Sequence, residues 1–447
     1  MALYARAQIK STKDGHFYIK MKKNLKEKLI NRKIKAPNKF LAKVIFRALK
    51  VVSKKNDVTF HHSFDPSILK GKPSILLAGH ASRLEFIYAL AGYGQENVNI
   101  VCGYQNIMAK GLYGLLIKMG VISKFLYQPD FMCIKHMMSV LKRDGALVLF
   151  PEGIQSTSGS THPINPATCK FLKKSRANVV VCRSEGAYLA TNRYSSDKKK
   201  GKIDFYYDML FTPDDLARMS EDEIYQKLMA AFRYNEMETN KTKRVKFVGK
   251  RPNIDGLTKI IYKCPNCGKE GDLRVLGANM ACQNCGYEVT MNEYYDLLPV
   301  RGRLIFDDID KWYKWQRKEV RREVLENEGF SMAFDGRLCV FKTDKLRKFP
   351  KNMQTVSIGS VAINKRRLWF YGTIDGKRRD FSFEMRGVYS LTFSTKGFLE
   401  FYYGDEYYRI FPDKKGESLI KWTLVSEEIH NLYDERWYKA SLDVYDY

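Results

Sequence analysis

Long apolar runs are missing from this chain. No segment approaches the ~20 consecutive apolar residues of a membrane-spanning helix, and the first residues lack the continuous apolar stretch of a signal peptide. Acidic residues are also few, since 49 Asp and Glu stand against 77 Lys and Arg and leave a formal charge of +28. We therefore expect a cytoplasmic protein, soluble or held at a membrane surface, with an anionic partner such as lipid headgroups, nucleic acid or a phosphorylated small molecule.

The basic excess is concentrated near the N-terminus. Residues 1–72 contain 19 Lys and Arg against 4 Asp and Glu. Within residues 38–53, aliphatic positions at helical spacing alternate with lysine and arginine, which is typical of an interfacial helix whose cations meet anionic lipid. An ordinary amphipathic helix that packs on a core has the same pattern. We assign residues 1–60 to a basic amphipathic region and leave both interpretations open.

Residues 61–240 predict an α/β domain with a mainly parallel sheet covered by helices. Short apolar runs at 74–78, 98–102, 146–150, 178–182 and 203–211 alternate with helical patterns. Helix-start signals follow at residues 212–215 and at 220–223, where Ser220 and Glu223 have the spacing of a capping box before a helix over 224–237.

Two of these predicted strands end in residues that carry chemistry. The first leads into GHASRLE over residues 79–85, and the third leads into FPEG over residues 150–153. Ligands of open α/β sheets bind at the carboxyl ends of the strands, so His80 and Glu152 are expected in one crevice. A histidine of near-neutral pKa can remove the proton of an attacking hydroxyl group, which makes His80 a candidate base.

The two motifs resemble those of the glycerolipid acyltransferase family, the 1-acyl-sn-glycerol-3-phosphate acyltransferases, which carry His-x4-Asp and a later Phe-Pro-Glu-Gly. The resemblance covers roughly residues 40–240. It implies an O-acyltransferase of phospholipid synthesis that uses acyl-CoA or acyl-carrier protein as donor. The implied acceptor is the hydroxyl of a lysophospholipid, with 1-acyl-glycerol-3-phosphate as the first candidate.

Glu85 stands where the family has aspartate. A helix that begins at Ser82 would place Glu85 in its first turn, from which the carboxylate can reach back to His80 and fix its tautomer. His80 and Glu85 are therefore the predicted catalytic pair. The alternative is that His80 only hydrogen-bonds a loop while Glu85 caps its own helix.

The resemblance also implies a substrate site. Glu152 would bind and orient the acceptor, Gly153 would let the backbone approach it, and Arg83, Lys124 and Ser156 would complete the contacts. A buried glutamate neutralised by an arginine is the alternative for Glu152.

The phosphate-binding part departs from the family pattern. Family members continue FPEG with Thr-Arg-Ser and carry another arginine in an intervening motif, whereas this chain has Ile154, Gln155 and Ser156, with Lys124 nearest the second arginine position. Lysine binds phosphate as a point charge and glutamine is a neutral donor, so bidentate recognition is weakened. Other cations such as Arg193 could compensate, or the acceptor could be another lysolipid or a glycolipid.

A metal module is predicted after a basic linker over 241–258. Residues 259–295 hold two Cys-x2-Cys knuckles, formed by Cys264, Cys267, Cys282 and Cys285. This spacing predicts a zinc ribbon, and four thiolates fill a tetrahedral shell, so the zinc would be structural. The other five cysteines are scattered among apolar residues like buried thiols, which favours a reducing cytoplasm.

The C-terminal third has a different pattern. Residues 296–329 predict a connecting helix, and residues 330–447 show about seven or eight short alternating strands followed by a helix over about 418–432. The arrangement resembles a pleckstrin-homology or GRAM-type barrel, a module that often binds lipids or proteins. A generic small barrel without a lipid site fits the same pattern.

Two other functions compete with acyl transfer. A nucleic-acid-binding zinc-ribbon protein would suit the charge, the ribbon and the 28 tyrosines. It is not favoured, because the basic excess lies in the aliphatic N-terminal region and no specific RNA-binding motif is present. A lipid-sensing pseudoenzyme is suggested by Glu85 and by the missing arginines.

Overall fold

The computed structural model describes residues 7–11, 17–21, 25–108, 111–126, 129–348, 351–414, 416 and 418–445 of the 447. Residues 1–6, 12–16 and 22–24 of the predicted basic region lie outside this part. The chain begins with an antiparallel hairpin of β1 (Ala7–Ser11) and β2 (Phe17–Met21), followed by α1 (Leu25–Ile30) and α2 (Lys39–Lys55). Ala42 and Phe46 of α2 are buried while Phe40 is exposed, so this helix is amphipathic as predicted.

A seven-stranded sheet forms the centre of the first half of the chain. Its strands are β3 (Val58–His62), β4 (Ser74–Ala78), β5 (Val98–Gly103), β6 (Ile122–Lys124), β7 (Ala146–Leu149), β8 (Asn178–Glu185) and β9 (Ile203–Phe211). The spatial order is β3-β9-β8-β4-β7-β5-β6, and every neighbouring pair is parallel except β8 and β9. The predicted mainly parallel α/β arrangement is confirmed.

Nine helices accompany this sheet in the described part of the chain. They are α3 (Glu85–Gly92), α4 (Tyr104–Ile107), α5 (Tyr113–Lys118), α6 (Phe131–Leu141), α7 (Ala167–Ser175), α8 (Ala187–Ala190), α9 (Pro213–Arg218), α10 (Glu221–Phe232) and α11 (Glu236–Lys243). The predicted capping box of Ser220 and Glu223 is formed at the start of α10. That helix ends at Phe232, short of the prediction, because Asn235 accepts from the amides of the next turn and starts α11.

The cysteine-rich segment folds as a small antiparallel sheet. Its strands are β10 (Leu273–Leu276), β11 (Asn279–Cys282), β12 (Glu288–Met291) and β13 (Leu297–Arg301), paired in chain order. The predicted linker before it contributes Phe247 and Ile254 to the buried core. A short 3-10 turn, Leu257–Lys259, then leads into the ribbon.

A long helix, α12 (Ile309–Glu326), connects the ribbon to an eight-stranded antiparallel sheet. The strands are β14 (Ser331–Phe341), β15 (Met353–Asn364), β16 (Arg367–Ile374), β17 (Lys377–Arg378), β18 (Phe381–Glu384), β19 (Thr392–Ser394), β20 (Phe398–Tyr403) and β21 (Glu406–Pro412). They run in the order β17-β16-β15-β14-β21-β20-β19, with β18 also pairing β16. Two helices end the described chain, α13 (Leu419–Asn431) and α14 (Glu435–Tyr445).

Three details of this C-terminal part differ from the prediction. The connecting helix predicted over 296–329 is confined to Ile309–Glu326, because Leu297–Arg301 form β13 and pair with β12. The strands are not all short, because Ser331–Phe341 form the single strand β14, which pairs with β15 along its whole length. The second helix, α14, has no counterpart among the predicted elements. The antiparallel sheet followed by a helix is otherwise as expected.

The α/β sheet and the C-terminal elements share one hydrophobic core. One buried cluster contains Leu76 of β4, Met280 of the ribbon, Trp312 of α12 and Trp422 of α13. Ile75 belongs to a second cluster on the other face of the sheet, as expected for a strand that is buried on both sides. The ribbon and the C-terminal sheet therefore pack on the α/β part. Among the helices described, none combines the length and the apolar content required to cross a bilayer.

Candidate functional site

The ends of β4 and β7 bring the two sequence motifs together. The strands are parallel neighbours in the middle of the sheet, with Leu77 opposite Leu149. His80 and Glu152 follow these strands closely and leave the same edge of the sheet. The crevice that the sequence predicts is therefore formed, with the histidine and the glutamate on adjacent loops.

Glu152 joins these loops through backbone amides. Its Oε1 accepts from the His80 N–H at 2.8 Å, and its Oε2 accepts from the His162 N–H at 2.7 Å. The Ser156 N–H donates back to the His80 carbonyl at 2.8 Å. We call the two hydrogen bonds to the Glu152 carboxyl the Glu152 clamp. Its partners are amides rather than an arginine, and it fixes the segment after FPEG against the His80 loop.

Gly153 closes the turn of the FPEG motif. Its φ is +72°, a left-handed conformation that glycine adopts without strain, and its N–H donates to the Phe150 carbonyl at 3.1 Å. A Cβ at this position would meet no atom within 4 Å. The backbone conformation therefore explains this glycine.

The expected pairing of Glu85 with His80 is not formed. The helix begins at Glu85 rather than Ser82, with Leu84 as its N-cap. Glu85 Oε2 accepts from the Ser82 N–H at 3.2 Å, and Oε1 accepts from the Ser184 hydroxyl of β8 at 2.9 Å. The glutamate thus satisfies a donor just before its own helix, as in the second half of a capping box.

His80 is enclosed in an apolar setting. Its ring lies 5.0 Å from that of Phe150, and within the described chain its buried Nδ1 has no hydrogen-bond partner. Burial, together with the charge of Arg193, lowers the pKa of His80 to about 4. The imidazole is therefore neutral at neutral pH and able to accept a proton.

The two glutamates beside it are both buried. Burial raises the pKa of Glu152 to about 7, although the amides of His162 and His80 act in the opposite direction. Burial also raises the pKa of Glu85 to about 8; the Ser184 hydroxyl opposes this rise, and the Glu152 carboxyl adds to it. Glu85 is therefore mainly protonated at pH 7.

A small cavity lies between these groups. It has a volume of about 30 Å³, and its lining includes His80, Glu85, Glu152, Ser156 and Ser184. This is room for about one water molecule. The site in this closed form cannot hold an acyl chain.

The C-terminal elements help to enclose the segment that follows FPEG. Asp310 of α12 accepts from the Ser158 hydroxyl at 2.6 Å and from the Ser160 hydroxyl at 2.7 Å. His162 Nδ1 lies 2.8 Å from the Tyr445 hydroxyl of α14, and burial lowers the pKa of His162 to about 3. These contacts are long-range, so no local pattern in the sequence identifies them.

The basic residues divide into those near the cavity and those away from it. Arg183 of β8 lines the cavity and also donates to Asp208 at 2.9 Å. Arg193 donates to the Gln155 carbonyl at 3.3 Å, beside the FPEG turn. Of the two predicted cations, Arg83 is exposed and Lys124 ends the edge strand β6, and neither is among the lining residues.

Ser156 is placed at the cavity but is internally bonded. It lines the cavity, and its hydroxyl donates to the Ser160 carbonyl at 2.6 Å and accepts from the Gly159 N–H at 3.0 Å. Its visible role is to shape the loop. Arg183 is the cavity-lining cation that the sequence motifs did not identify.

The four cysteines of the ribbon form one cluster. Their sulfur atoms all lie within 4.8 Å of one another, with Cys264 and Cys285 at 3.7 Å and Cys267 and Cys282 at 3.8 Å. Zn–S bonds of about 2.3 Å in a tetrahedron place sulfurs about 3.8 Å apart. The donor set and its spacing therefore fit a structural zinc ion.

Comparisons with known proteins do not assign this chain to a family. No family model matches the chain, and no curated protein matches it. One solved structure with partial likeness is the 1-acyl-sn-glycerophosphate (LPA) acyltransferase PlsC from Thermotoga maritima, with a TM-score of 0.39 and 16% sequence identity. The match covers 46% of this chain and 80% of that chain. A likeness at this level establishes neither a shared fold nor a shared activity.

Zinc binding is expected to depend on the cysteine cluster. Purified protein should contain about one zinc per chain, and Cys282→Ser should lose it and unfold at lower temperature, because an open tetrahedral site no longer holds the ribbon together. Metal content by mass spectrometry and a thermal melt provide the measurements. Cys339→Ser, a buried thiol outside the cluster, is the control. Full zinc retention by the Cys282 variant would contradict the assignment.

Proposed function

We propose that this chain is an O-acyltransferase of phospholipid synthesis, acting on the hydroxyl of a lysophospholipid with acyl-CoA or acyl-carrier protein as donor. The observation that carries the proposal is the meeting of His80 with the FPEG turn, since the His80 N–H is bonded to Glu152 at the carboxyl edge of the sheet. The imidazole is neutral, as a proton acceptor must be, but its pKa of about 4 makes it a weaker base than the near-neutral histidine that the sequence predicts.

The chemical step follows from the groups at the cavity. His80 accepts the acceptor's hydroxyl proton while the oxygen attacks the thioester carbonyl. The tetrahedral intermediate then collapses, the C–S bond breaks, and the proton held by His80 passes to the departing sulfur. Backbone N–H groups at the start of α3 or around Gly153 are the candidate donors to the oxyanion.

In this scheme Glu85 is not the catalytic partner of His80 that the sequence predicts. With a pKa raised by burial to about 8, it carries a proton at pH 7, so it is not a carboxylate that stabilises the imidazolium. Its bonds to the Ser82 N–H and the Ser184 hydroxyl hold the start of α3 in place. We propose Glu85 as a residue that positions the His80 loop.

The acceptor is proposed to be 1-acyl-glycerol-3-phosphate. Arg183 is the cation that lines the cavity, and Arg193 reaches the loop after FPEG. Both guanidinium groups can bind a phosphate bidentately. Arg83 and Lys124 stay candidates only for more distant parts of the substrate.

Catalysis requires the closed cavity to open. A volume of about 30 Å³ excludes both lipid and thioester, so the contacts from α12 and α14 to the loop after FPEG must loosen when substrates bind. The resemblance of the C-terminal sheet and α13 to a pleckstrin-homology or GRAM module remains a prediction, and we propose that this part governs access to the site.

A lipid-sensing pseudoenzyme is the second candidate. It is favoured by the same closed cavity and by the absence of a partner for His80 Nδ1 in the described structure. The two candidates differ in turnover, which a product assay measures directly.

We also propose that α2 holds the protein at an anionic membrane surface. Phe40 is 79% exposed and Val51 65% exposed, and Lys39, Lys43 and Lys50 are exposed on the same helix. Apolar side chains with flanking lysines suit the headgroup region of a bilayer.

Replacing His80 tests the enzyme proposal. Purified protein with acyl-CoA and 1-acyl-glycerol-3-phosphate should form the diacyl product, detected by mass. His80→Ala should lower the rate by about 10²–10⁴-fold, because the base is gone. Since the pKa of His80 is lowered to about 4, parent activity should persist at pH 5 and be lost as His80 becomes protonated at lower pH.

The matched control is His61→Ala, a part-exposed histidine on the edge strand β3 that pairs with Asp204. It should keep the parent rate. Equal rates for parent and His80→Ala would disprove the base assignment. A folded parent that turns over no lysolipid in a panel of acceptors would favour the pseudoenzyme.

Replacing the exposed apolar residues of α2 tests the membrane proposal. The double variant Phe40→Ser/Val51→Ser should bind phosphatidate-containing liposomes at least about thirtyfold more weakly, since about 1–3 kcal/mol of apolar burial is removed per side chain. Co-sedimentation measures this, with Ile358→Ser, an exposed position on β15, as control. Unchanged sedimentation of the α2 variant, or stronger retention on nucleic acid at the same salt, would count against α2 as the anchor.

A further inference from the structure

A larger cavity lies between the ribbon and the C-terminal sheet. Its volume is about 650 Å³, and it is separate from the His80 cavity. Its walls come from β10, from the segment before β10, from the turn between β19 and β20, and from the start of α13. We call it the ribbon cleft. Its volume falls within the range of about 300–1,000 Å³ that small-molecule sites usually have.

The two charged residues among those described as lining the ribbon cleft are both basic. Lys259 and Arg274 are among its lining residues and are exposed, whereas no Asp or Glu is among them in the described chain. The ammonium of Lys259 donates to the Tyr194 carbonyl at 3.0 Å, and the Arg274 guanidinium donates to local carbonyls. Among the described residues these two side chains bond to carbonyl oxygens and form no ion pair with an acidic group, so both charges can attract an anion.

The first turn of α13 adds to this preference. Ser418 and Leu419 line the cleft, and Ser418 occupies the N-cap without a side-chain cap hydrogen bond. The helix is 13 residues long. Its first N–H groups have no acceptor within the helix and carry the positive end of its dipole, an arrangement that favours an oxyanion.

Two residues on the cleft wall have buried hydroxyls without a hydrogen-bond partner in the described part of the chain. Tyr262 is 3% exposed, and its hydroxyl has no hydrogen-bond partner within the described residues. The Ser418 hydroxyl is likewise buried and unpaired. Both residues line the cleft. Buried polar groups are normally satisfied, so these two hydroxyls are unused hydrogen-bonding groups on residues that line the cleft.

Part of the remaining wall is apolar. Leu273 of β10, Phe393 of β19 and Leu419 of α13 are buried residues that line the same cleft. A small inorganic ion would leave these surfaces without contact. A ligand that uses both the cationic groups and the apolar walls must carry an oxyanion on an apolar body.

We propose that the ribbon cleft is a binding site for an anionic amphiphile, a molecule with a phosphate or carboxylate head and a hydrocarbon body. The head contacts Lys259, Arg274 and the start of α13. The body packs against Leu273 and Phe393. Such a ligand can come from a membrane lipid or from a soluble acyl compound, which share this chemistry.

Calorimetric titration of the full chain with dodecyl phosphate, below its micelle concentration, tests the site. We expect saturable binding, and we expect the double variant Lys259→Ala/Arg274→Ala to bind at least about tenfold more weakly because two charge-assisted contacts are lost. Arg366→Ala/Lys377→Ala, which removes two exposed cations elsewhere on the C-terminal sheet, should bind like the parent. If the first double variant does not fold, Arg274→Gln replaces it.

Two further ligands test separately how much the anionic head and the hydrocarbon body contribute to binding. Dodecyl maltoside, which has the chain without charge, and inorganic phosphate, which has the charge without the chain, should each bind at least about tenfold more weakly than dodecyl phosphate. Vesicles with and without phosphatidate then identify the source of the ligand. If the ligand is a membrane lipid, binding to phosphatidate vesicles should weaken when Arg274 is replaced. If it is a soluble acyl compound, only the binding of dodecyl phosphate should weaken. Equal binding of dodecyl phosphate by the cleft variant and its control, or equal binding of dodecyl maltoside, would overturn the proposal.

Discussion

The candidate site depends on the hydrogen bonds that one buried carboxyl makes to two loops. Glu152 accepts from the His80 N–H on one side and from the His162 N–H on the other. A buried N–H that loses its acceptor costs about 1–3 kcal/mol, so removing this carboxyl separates the loops at a considerable cost. The left-handed turn at Gly153 and the position of His80 both allow the Glu152 carboxyl to accept from the His80 N–H. The proline and glycine around Glu152 place its carboxyl at the edge of the sheet.

The same contact connects the α/β domain to the rest of the molecule. The segment held by Glu152 includes His162, which meets Tyr445, and two serines that donate to Asp310. Arg193 donates to the Gln155 carbonyl and to the carbonyl of Phe393, a residue of the ribbon cleft wall. The loop beside the His80 cavity is therefore bonded to α12 and α14, and through Arg193 to the C-terminal sheet. These bonds join the α/β part to the C-terminal part, whose buried residues share one hydrophobic cluster.

Local sequence patterns predicted the strands and helix starts that are determined by interactions between residues close together in the chain. The strand Ser74–Ala78 and the capping box at Ser220 follow from short-range rules, and both are formed. The start of α3 was predicted wrongly because Ser82 looks like an N-cap, yet its hydroxyl is unpaired and Glu85 bonds its N–H instead. The Tyr445 and Asp310 contacts join residues far apart in the chain, so only the folded structure reveals them. The closed cavity likewise depends on packing between distant segments.

Amide hydrogen exchange in Glu152→Gln tests the Glu152 clamp most directly. Glutamine keeps one acceptor oxygen and replaces the other with a donor, so it cannot accept from both amides. We predict that exchange at His80 or His162 accelerates at least about tenfold, while the amides of Val180 and Val181 in β8 keep their parent rates. Unchanged slow exchange at both histidine amides, in a folded variant, would show that the carboxyl does not hold the two loops together.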